Sequence, residues 1–414
     1  MTNLPFISSA SSCGLRFRIG LVVILLTLGA DGGRVASAQT IEDLFDDGTV
    51  QELRLSINER DLRELIERYL ENIYVPADFQ WRDQRVRNVG VRSRGLASRS
   101  ASKPGLRIDF NRYSAGQTFL GLASLVLDNL VTDPALVRER VSMALFKRLR
   151  QPASRESFTR LYINSVYQGI YAIVEPVDGE FLQRALGEKS GYLFERHFLH
   201  PFLGEDLGDE LTAYRRVFEP RNHELEADTV LYSPIRDLFH EVNQPVDTVW
   251  RERVGRYIDL PQLVTHVAIE TFLSEADGVL GASGMANFYL YRGPSSDQHR
   301  LIVWDKDHTF AAVDSPIFLR VEENALFSRA LAFGDLRALY LDVLEQCARS
   351  AAGDGWLEAE IVRLSALIDV AAREDVRKPY DDESRETAVE FLKHFARQRP
   401  SFVLQEIARA RGGR

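Results

Sequence analysis

The segment from Phe272 to Phe310 constrains this chain more than any other. An apolar run ending in Phe272-Leu273 leads into Glu275-Ala276-Asp277-Gly278, then Asn287-Phe288-Tyr289-Leu290-Tyr291, then Leu301-Ile302-Val303-Trp304-Asp305-Lys306-Asp307-His308-Thr309-Phe310. The periodicity predicts a buried helix through Leu263, Val267, Ile269 and Phe272, with Asp277 delivered at its C-terminal end and strands after it. Three acids and an amide therefore gather near strand ends. On extended backbone, residues i and i+2 share a face, which sets Asp305 beside Asp307. Two carboxylates so placed repel unless a cation lies between them, and a divalent ion with phosphate oxygens suits hard oxygen ligands. A solvated Asp-x-Asp turn is the ordinary alternative, and the rest of the chain has to decide.

Composition narrows the classes. The 414 residues are 45% hydrophobic and 27% charged, a folded globular chain with room for one large domain or two ordinary ones. The net charge of −9 argues against a nucleic-acid partner, which needs a basic surface. Arg16 and Arg18, the apolar run Ile19 to Leu28 and the small-x-small site Ala36-Ser37-Ala38 read as a signal peptide over 1–38, removed on export to the periplasm, the cell surface or the medium. Its loss takes away Arg16, Arg18 and Arg34 against Asp31, so the net charge moves from −9 to −11. No later stretch approaches a membrane span, so no stable membrane anchor is expected. Cys13 leaves with the leader, and Cys347 remains as a single buried thiol.

Before the acidic segment the chain reads as strands with a few helices. Val50 to Ile57 alternates with Leu53, Leu55 and Ile57 on one face, and Glu59 to Tyr69 has helical spacing. Phe79 to Trp81 and Val86 to Val91 pair across a polar turn. They lead into Arg92-Ser93-Arg94-Gly95-Leu96-Ala97-Ser98-Arg99-Ser100, a small basic loop bounded by strands, as a phosphate-covering loop is built. Asp133-Pro134 predicts the cap and first turn of a helix over 135–149 that carries Glu139. Phe158 to Ile163 and Gly169 to Glu175 form a hairpin, broken by Pro176-Val177-Asp178. The acidic segment 199–212 reads as a surface excursion, and 326–411 as helical. The fold class expected is α+β: a mixed-sheet N-lobe with one packed helix over 39–178, then a mainly helical C-lobe over 179–414 carrying the acids.

The order of parts is that of a kinase-like phosphotransferase: a basic residue (Lys103 or Arg107) on an early strand, Glu139 on a helix, a hairpin ending at Glu175, then Asp277, Asn287 and Asp305/Asp307. Phosphoryl transfer needs charge neutralised over phosphate oxygens and a hydroxyl held in line, which acids with a divalent ion and a cation opposite provide.

Taken together, five stretches resemble the CotH proteins, the spore-coat-type kinases: Asn88 to Gly95, Asp133 to Glu139, Leu161 to Asn164 with Gly169 to Glu175, Asp277-Gly278 with Asn287 to Tyr291, and Trp304 to Phe310. The resemblance implies an atypical protein kinase-like fold that binds ATP with Mg²⁺ or Mn²⁺ and phosphorylates Ser/Thr of a protein substrate. On that match Asp277 is the catalytic aspartate, and Asn287 with Asp305, Asp307 or both holds metal. Arg94, Gly95 and Ser98 lie over the phosphates, and either Lys103 or Arg107 meets them, with Glu139 as a partner. Glu175 and Val177 lie near adenine and ribose. Two other readings remain open: a pseudokinase or coat scaffold that keeps the fold and binds partners, and a metal-dependent phosphotransferase acting on a small molecule or glycan.

Overall fold

Alternation is the local code of the first half of the chain. The computed structural model describes residues 39–196 and 200–412, so the expected leader at 1–38 lies outside the described residues. Strands β1 (Val50–Ile57), β2 (Val75–Trp81), β3 (Gln84–Arg94), β4 (Gly105–Asp109), β5 (Ser124–Asp128), β6 (Glu156–Ile163) and β7 (Val166–Val174) close into a barrel in the order β1-β2-β3-β4-β5-β7-β6. Neighbours are antiparallel except β1 and β6, which run parallel and form the seam. One residue in two points inward, so Leu53, Leu55, Phe79, Trp81, Val91, Leu106, Ile108, Leu125 and Leu127 fill the barrel. The other set points outward. On β3, β4 and β5 it includes Arg92, Arg94, Arg107, Val126 and Asp128, and the register places Arg92 opposite Arg107 and Arg107 opposite Val126.

Two short connections follow from backbone chemistry. The β6–β7 hairpin turns through Asn164 and Ser165, both at positive φ (49° and 68°), which matches the right-handed twist of the flanking strands. The helix expected over 135–149 begins later, as α3 (Arg138–Arg148), after α1 (Ile41–Leu44) and α2 (Glu59–Glu67). Leu136 adopts a left-handed conformation that interrupts the first turn. Asp133 still caps it from a distance, accepting from the Ala135 N–H at 2.8 Å and the Arg138 N–H at 2.7 Å. α3 packs Val141, Leu145 and Phe146 in one core with Phe158, Ile170, Ala172 and Val174 from the outer face of β6 and β7.

The second half is mainly helical: α4 (Gly179–Leu186), α5 (Leu211–Arg215), α6 (Asp228–Asn243), α7 (Trp250–Gly255), α8 (Leu260–Phe272), α9 (Ala325–Ala330), α10 (Gly334–Ala352), α11 (Trp356–Glu374) and α12 (Asp382–Gly412). They surround a small antiparallel sheet of β8 (Tyr192–Arg196), β9 (Phe218–Pro220), β10 (Phe288–Arg292) and β11 (His299–Val303), ordered β11-β10-β8-β9. The excursion after β8 is anchored rather than loose: Phe202 is buried edge-on to Phe218 and Phe239, and its carbonyl accepts from the Met285 N–H at 2.8 Å. Arg399 of α12 is fully buried and donates to the carbonyls of Thr271, Phe272, Val313 and Ser315, tying off the end of α8. Cys347 is buried in α10, and burial pushes its thiol pKa up. Among the described residues no helix is long and apolar enough to cross a membrane.

Candidate active-site cleft

β11 ends at Val303, so Asp305 and Asp307 do not stand side by side on a strand as the i, i+2 argument expected. They sit on the loop that follows, where Asp305 takes φ 51° and Phe310 φ 61°. That loop lies against the turn after α8: the Phe310 N–H donates to Leu273 O at 2.6 Å, and the Ala276 N–H to His308 O at 3.2 Å. Beneath both runs a buried polar chain. Lys306 Nζ lies 2.9 Å from Glu270 Oε1 and donates to Asn287 O at 2.9 Å, while His266 Nε2 lies 3.1 Å from the same Glu270 oxygen. Burial alone would raise the Glu270 pKa, but Lys306 and His266 hold it down at about 2. Gly278 passes so close that a Cβ there would meet Glu270 Oε2 at 2.6 Å. The chain thereby fixes α8, the Asp277 turn, the start of β10 and the Asp305 loop relative to one another.

Above this chain a cleft of about 440 Å³ opens between the outer face of β3–β5 and the small sheet, within the range of about 300–1,000 Å³ usual for small-ligand sites. Asp277 and Asn287 line it together. Asn287 sits at φ 57°, a conformation that Asn tolerates well, and its Nδ2 donates to both the carbonyl and Oδ2 of Asp277 at 2.9 Å. Burial raises the Asp277 pKa against the pull of His308, Lys306 and the Asn287 bond. Asp305 and Asp307 also line the cleft, and Thr132 donates to Asp307 Oδ2. Asp305 is raised well above the usual carboxylate range, first by burial and then by Asp307 and Asp128, with Arg94 opposing.

The barrel side supplies cations and the covering loop. Arg94, Gly95, Ser98 and Arg107 line the cleft, and Arg107 Nη2 donates to Ser124 Oγ at 2.9 Å. Arg94 lies 3.3 Å from Asp128 and over the Trp304 ring. Gly95 has φ 102°, and a Cβ there would meet Ser98 Oγ at 2.4 Å, so only glycine lets the loop fold back this tightly. Pro176, Val177 and Asp178 line the cleft where the chain leaves β7.

Lys103, Glu139 and Glu175 depart from their expected places. Lys103 is neither on the cleft nor in solvent: its Nζ is 2.6 Å from Asp375 Oδ2, both side chains fully buried, and Asp375 also accepts from the Ile170 N–H at 3.1 Å. It staples β4's approach to the end of α11 and leaves Arg107 as the strand cation on the cleft. Glu139 does not line the cleft and has no ion pair among the described residues. It is buried on α3, its pKa raised well above the usual range by burial, then by Glu156 and Asp305. Glu175 turns its carboxylate away onto Arg155 (2.6 Å) and Arg184, leaving its neighbours Pro176 and Val177 at the cleft. The sequence reading missed Asp128 and Thr132. Asp128 shows itself only through alternation: in Ser124-Leu125-Val126-Leu127-Asp128 it follows Val126 on the outward face.

Among the described residues no three His, Cys, Asp or Glu side chains form a ready-made metal cage. The donors suit a different kind of site. Mg²⁺ keeps several waters and is commonly bound through one or two carboxylates plus substrate phosphates. Asp305, Asp307 and Asp128 crowd one region closely enough that the other two raise the Asp305 pKa, a charge pattern a divalent ion would relieve. Asp307 and Asn287, with Asp305 beside them, fit that role.

A relative, the inner spore coat protein H of Bacillus subtilis (strain 168), is 23% identical over 366 residues, covering 86% of this chain and 97% of its own length. Among solved structures, the proinflammatory kinase CtkA of Helicobacter pylori aligns over 76% of this chain and 94% of its own with 11% identity, but a TM-score of 0.31 is too low to bear on the site. The family model described as CotH kinase protein matches residues 91–403, taking in the loop over the cleft, Asp277, Asn287 and the Asp305 loop alike, and the chain belongs to the CotH family.

Proposed function

We propose that the protein is an exported CotH-type kinase that transfers the γ-phosphoryl group of ATP to a Ser or Thr hydroxyl of a protein substrate. The observation that carries this reading is the convergence of Asp277, Asn287, Asp305 and Asp307 with Arg94 and Arg107 on one cleft. Arg94 and Arg107 hold phosphate oxygens, and the loop from Gly95 to Ser98 covers them. Pro176 and Val177 give the base an apolar edge. Asp307 and Asn287, with Asp305 near, would hold Mg²⁺ or Mn²⁺, which supplies charge neutralisation across the phosphates when bound. Asp277 orients the acceptor hydroxyl and takes its proton as the new oxygen–phosphorus bond forms and the bond from the γ-phosphorus to the bridging oxygen breaks, releasing ADP. Its raised pKa makes it a better proton acceptor than an ordinary aspartate. Export rests on Arg16, Arg18, Ile19 to Leu28 and Ala36-Ser37-Ala38, and the coat protein among the relatives makes a cell-surface or coat setting the natural one to test.

Incubation with γ-labelled ATP, Mg²⁺ or Mn²⁺ and a Ser/Thr protein tests the proposal. Label should move with the wild type and fall about 10²–10⁴-fold with Asp277→Ala, and also with Asp307→Ala. Equal labelling by all three proteins would sink it. One observation favours a pseudokinase scaffold instead: Lys103 is locked to Asp375, leaving arginines as the phosphate-side cations. That reading predicts nucleotide binding with no transfer.

A further inference from the structure

The turn that carries Asp277 stands between two open spaces. Asp277 lines the cleft in front. Behind it lies a second cavity of about 180 Å³ whose walls include Ser274, Glu275, Ala276 and Arg320. Close packing on both sides is therefore not what fixes this stretch, and its hydrogen bonds carry the geometry. The Glu275 N–H donates to Glu270 O at 3.0 Å, and the Ala276 N–H reaches His308 O in the Asp305 loop at 3.2 Å. Asn287 holds the carbonyl and Oδ2 of Asp277. The Asp277 N–H is held by a side chain instead of the backbone: it donates to Glu275 Oε1 at 2.7 Å.

Folding alone gives no reason for a glutamate here. A buried carboxyl with an unpaired oxygen opposes the folded state, and Glu275 Oε2 is buried with no hydrogen-bond partner among the described residues. Charge balance does not call for it either, because Lys306 already has Glu270 at 2.9 Å. Burial raises the Glu275 pKa to about 8, with Lys306 opposing and Glu270 adding to the rise, so near pH 7 the side chain is mostly a neutral acid. Its remaining contribution is the bond to the Asp277 amide. We propose that Glu275 is a positioning residue for phosphoryl transfer, which fixes the Asp277 backbone and so holds the Asp277 carboxylate at the acceptor hydroxyl. Glu275 itself does not line the cleft. The proposal deepens the phosphotransfer reading and rests on it. Its signature is a loss of rate without a loss of nucleotide affinity, since a small misplacement of a reacting group costs about 10²-fold in rate.

Two variants test it. Glu275→Met keeps the bulk and removes the acceptor, whereas Glu275→Gln keeps an oxygen for the Asp277 N–H. In transfer assays with γ-labelled ATP and Mg²⁺ or Mn²⁺, Glu275→Met should lower kcat about 10²-fold and leave KM for ATP within about twofold of wild type. Glu275→Gln should keep kcat within about threefold. Hydrogen exchange at the Asp277 amide, read by mass spectrometry with fragmentation, should run about tenfold faster in Glu275→Met and at the wild-type rate in Glu275→Gln. An unchanged kcat in Glu275→Met overturns the assignment. So does an equal loss in both variants, because the acceptor oxygen would then not be the active feature. Glu275→Ala repeats the comparison without the bulk of Met, and unfolding of both apolar variants makes the role structural and removes the assignment. Should the wild type transfer no label, the kinase reading falls and the exchange rates decide alone: faster exchange in Glu275→Met supports the hold on Asp277, and equal exchange in all proteins removes it.

Discussion

Lys103 and Arg107 lie on the same approach to the cleft and are used in opposite ways. Lys103 is spent on Asp375 in the interior, where removing one partner of a buried pair typically costs about 3–5 kcal/mol. Lys103→Met should therefore lower the unfolding midpoint strongly and leave nucleotide affinity near wild type in protein that remains folded. Lys103→Met with Asp375→Asn should recover part of the loss, because no charge is then left buried alone and the amide oxygen can still accept from the Ile170 N–H. Arg107→Ala should do the reverse, keeping the midpoint and weakening nucleotide binding. Denaturant melts beside nucleotide titrations separate these outcomes. Sequence order alone left the two residues interchangeable, because which basic side chain faces the cleft depends on strand register and on a carboxylate 272 positions away.

At the scale of elements, the legible parts were those encoded locally. Leu53, Leu55 and Ile57 announced β1, and the apolar run of α8 placed Asp277 at its end. The errors arose where tertiary contacts override local pattern. Asp305 and Asp307 continue an apolar strand in sequence, yet β11 stops at Val303, because the loop bends back to bond with Leu273 and Ala276. Glu175 directly follows β7 beside the cleft, but Arg155 and Arg184 draw its carboxylate away. The parallel β1–β6 seam joins segments about a hundred residues apart and has no local signal. The close fit of the Asp277 turn on α8 gives a further expectation. Gly278→Ala forces a Cβ onto the Glu270 carboxylate. It should lower stability by about 1–3 kcal/mol as overpacking does and reduce transfer more than nucleotide affinity, which paired melts and kinetics would show.

Across the whole molecule, buried acids set a pH dependence. Burial raises Glu156 from 4.5 to about 7, with Arg140 and Lys147 opposing. Glu156 therefore binds its proton more tightly folded than unfolded. Its contribution favours the folded state fully below pH 4.5 and is lost as pH rises through about 7. Glu156→Gln, which needs no proton to stay neutral, should flatten the fall in unfolding midpoint between pH 5 and pH 8, a change checked by melts across that window. Glu139 and Asp305, also raised by burial, act in the same direction. A divalent ion at the cleft would oppose the Asp305 part by stabilising its charged form, so added Mg²⁺ should reduce the slope. In the proposed kinase the Asp307 side of the cleft would hold metal and phosphate, while the Asp277 side would serve the hydroxyl. Isothermal titration of ATP with and without Mn²⁺ tests this most directly. Asp307→Ala should lose the metal-dependent gain in affinity, whereas Asp277→Ala should keep it; the same gain in wild type and both variants would rule out this division of the cleft.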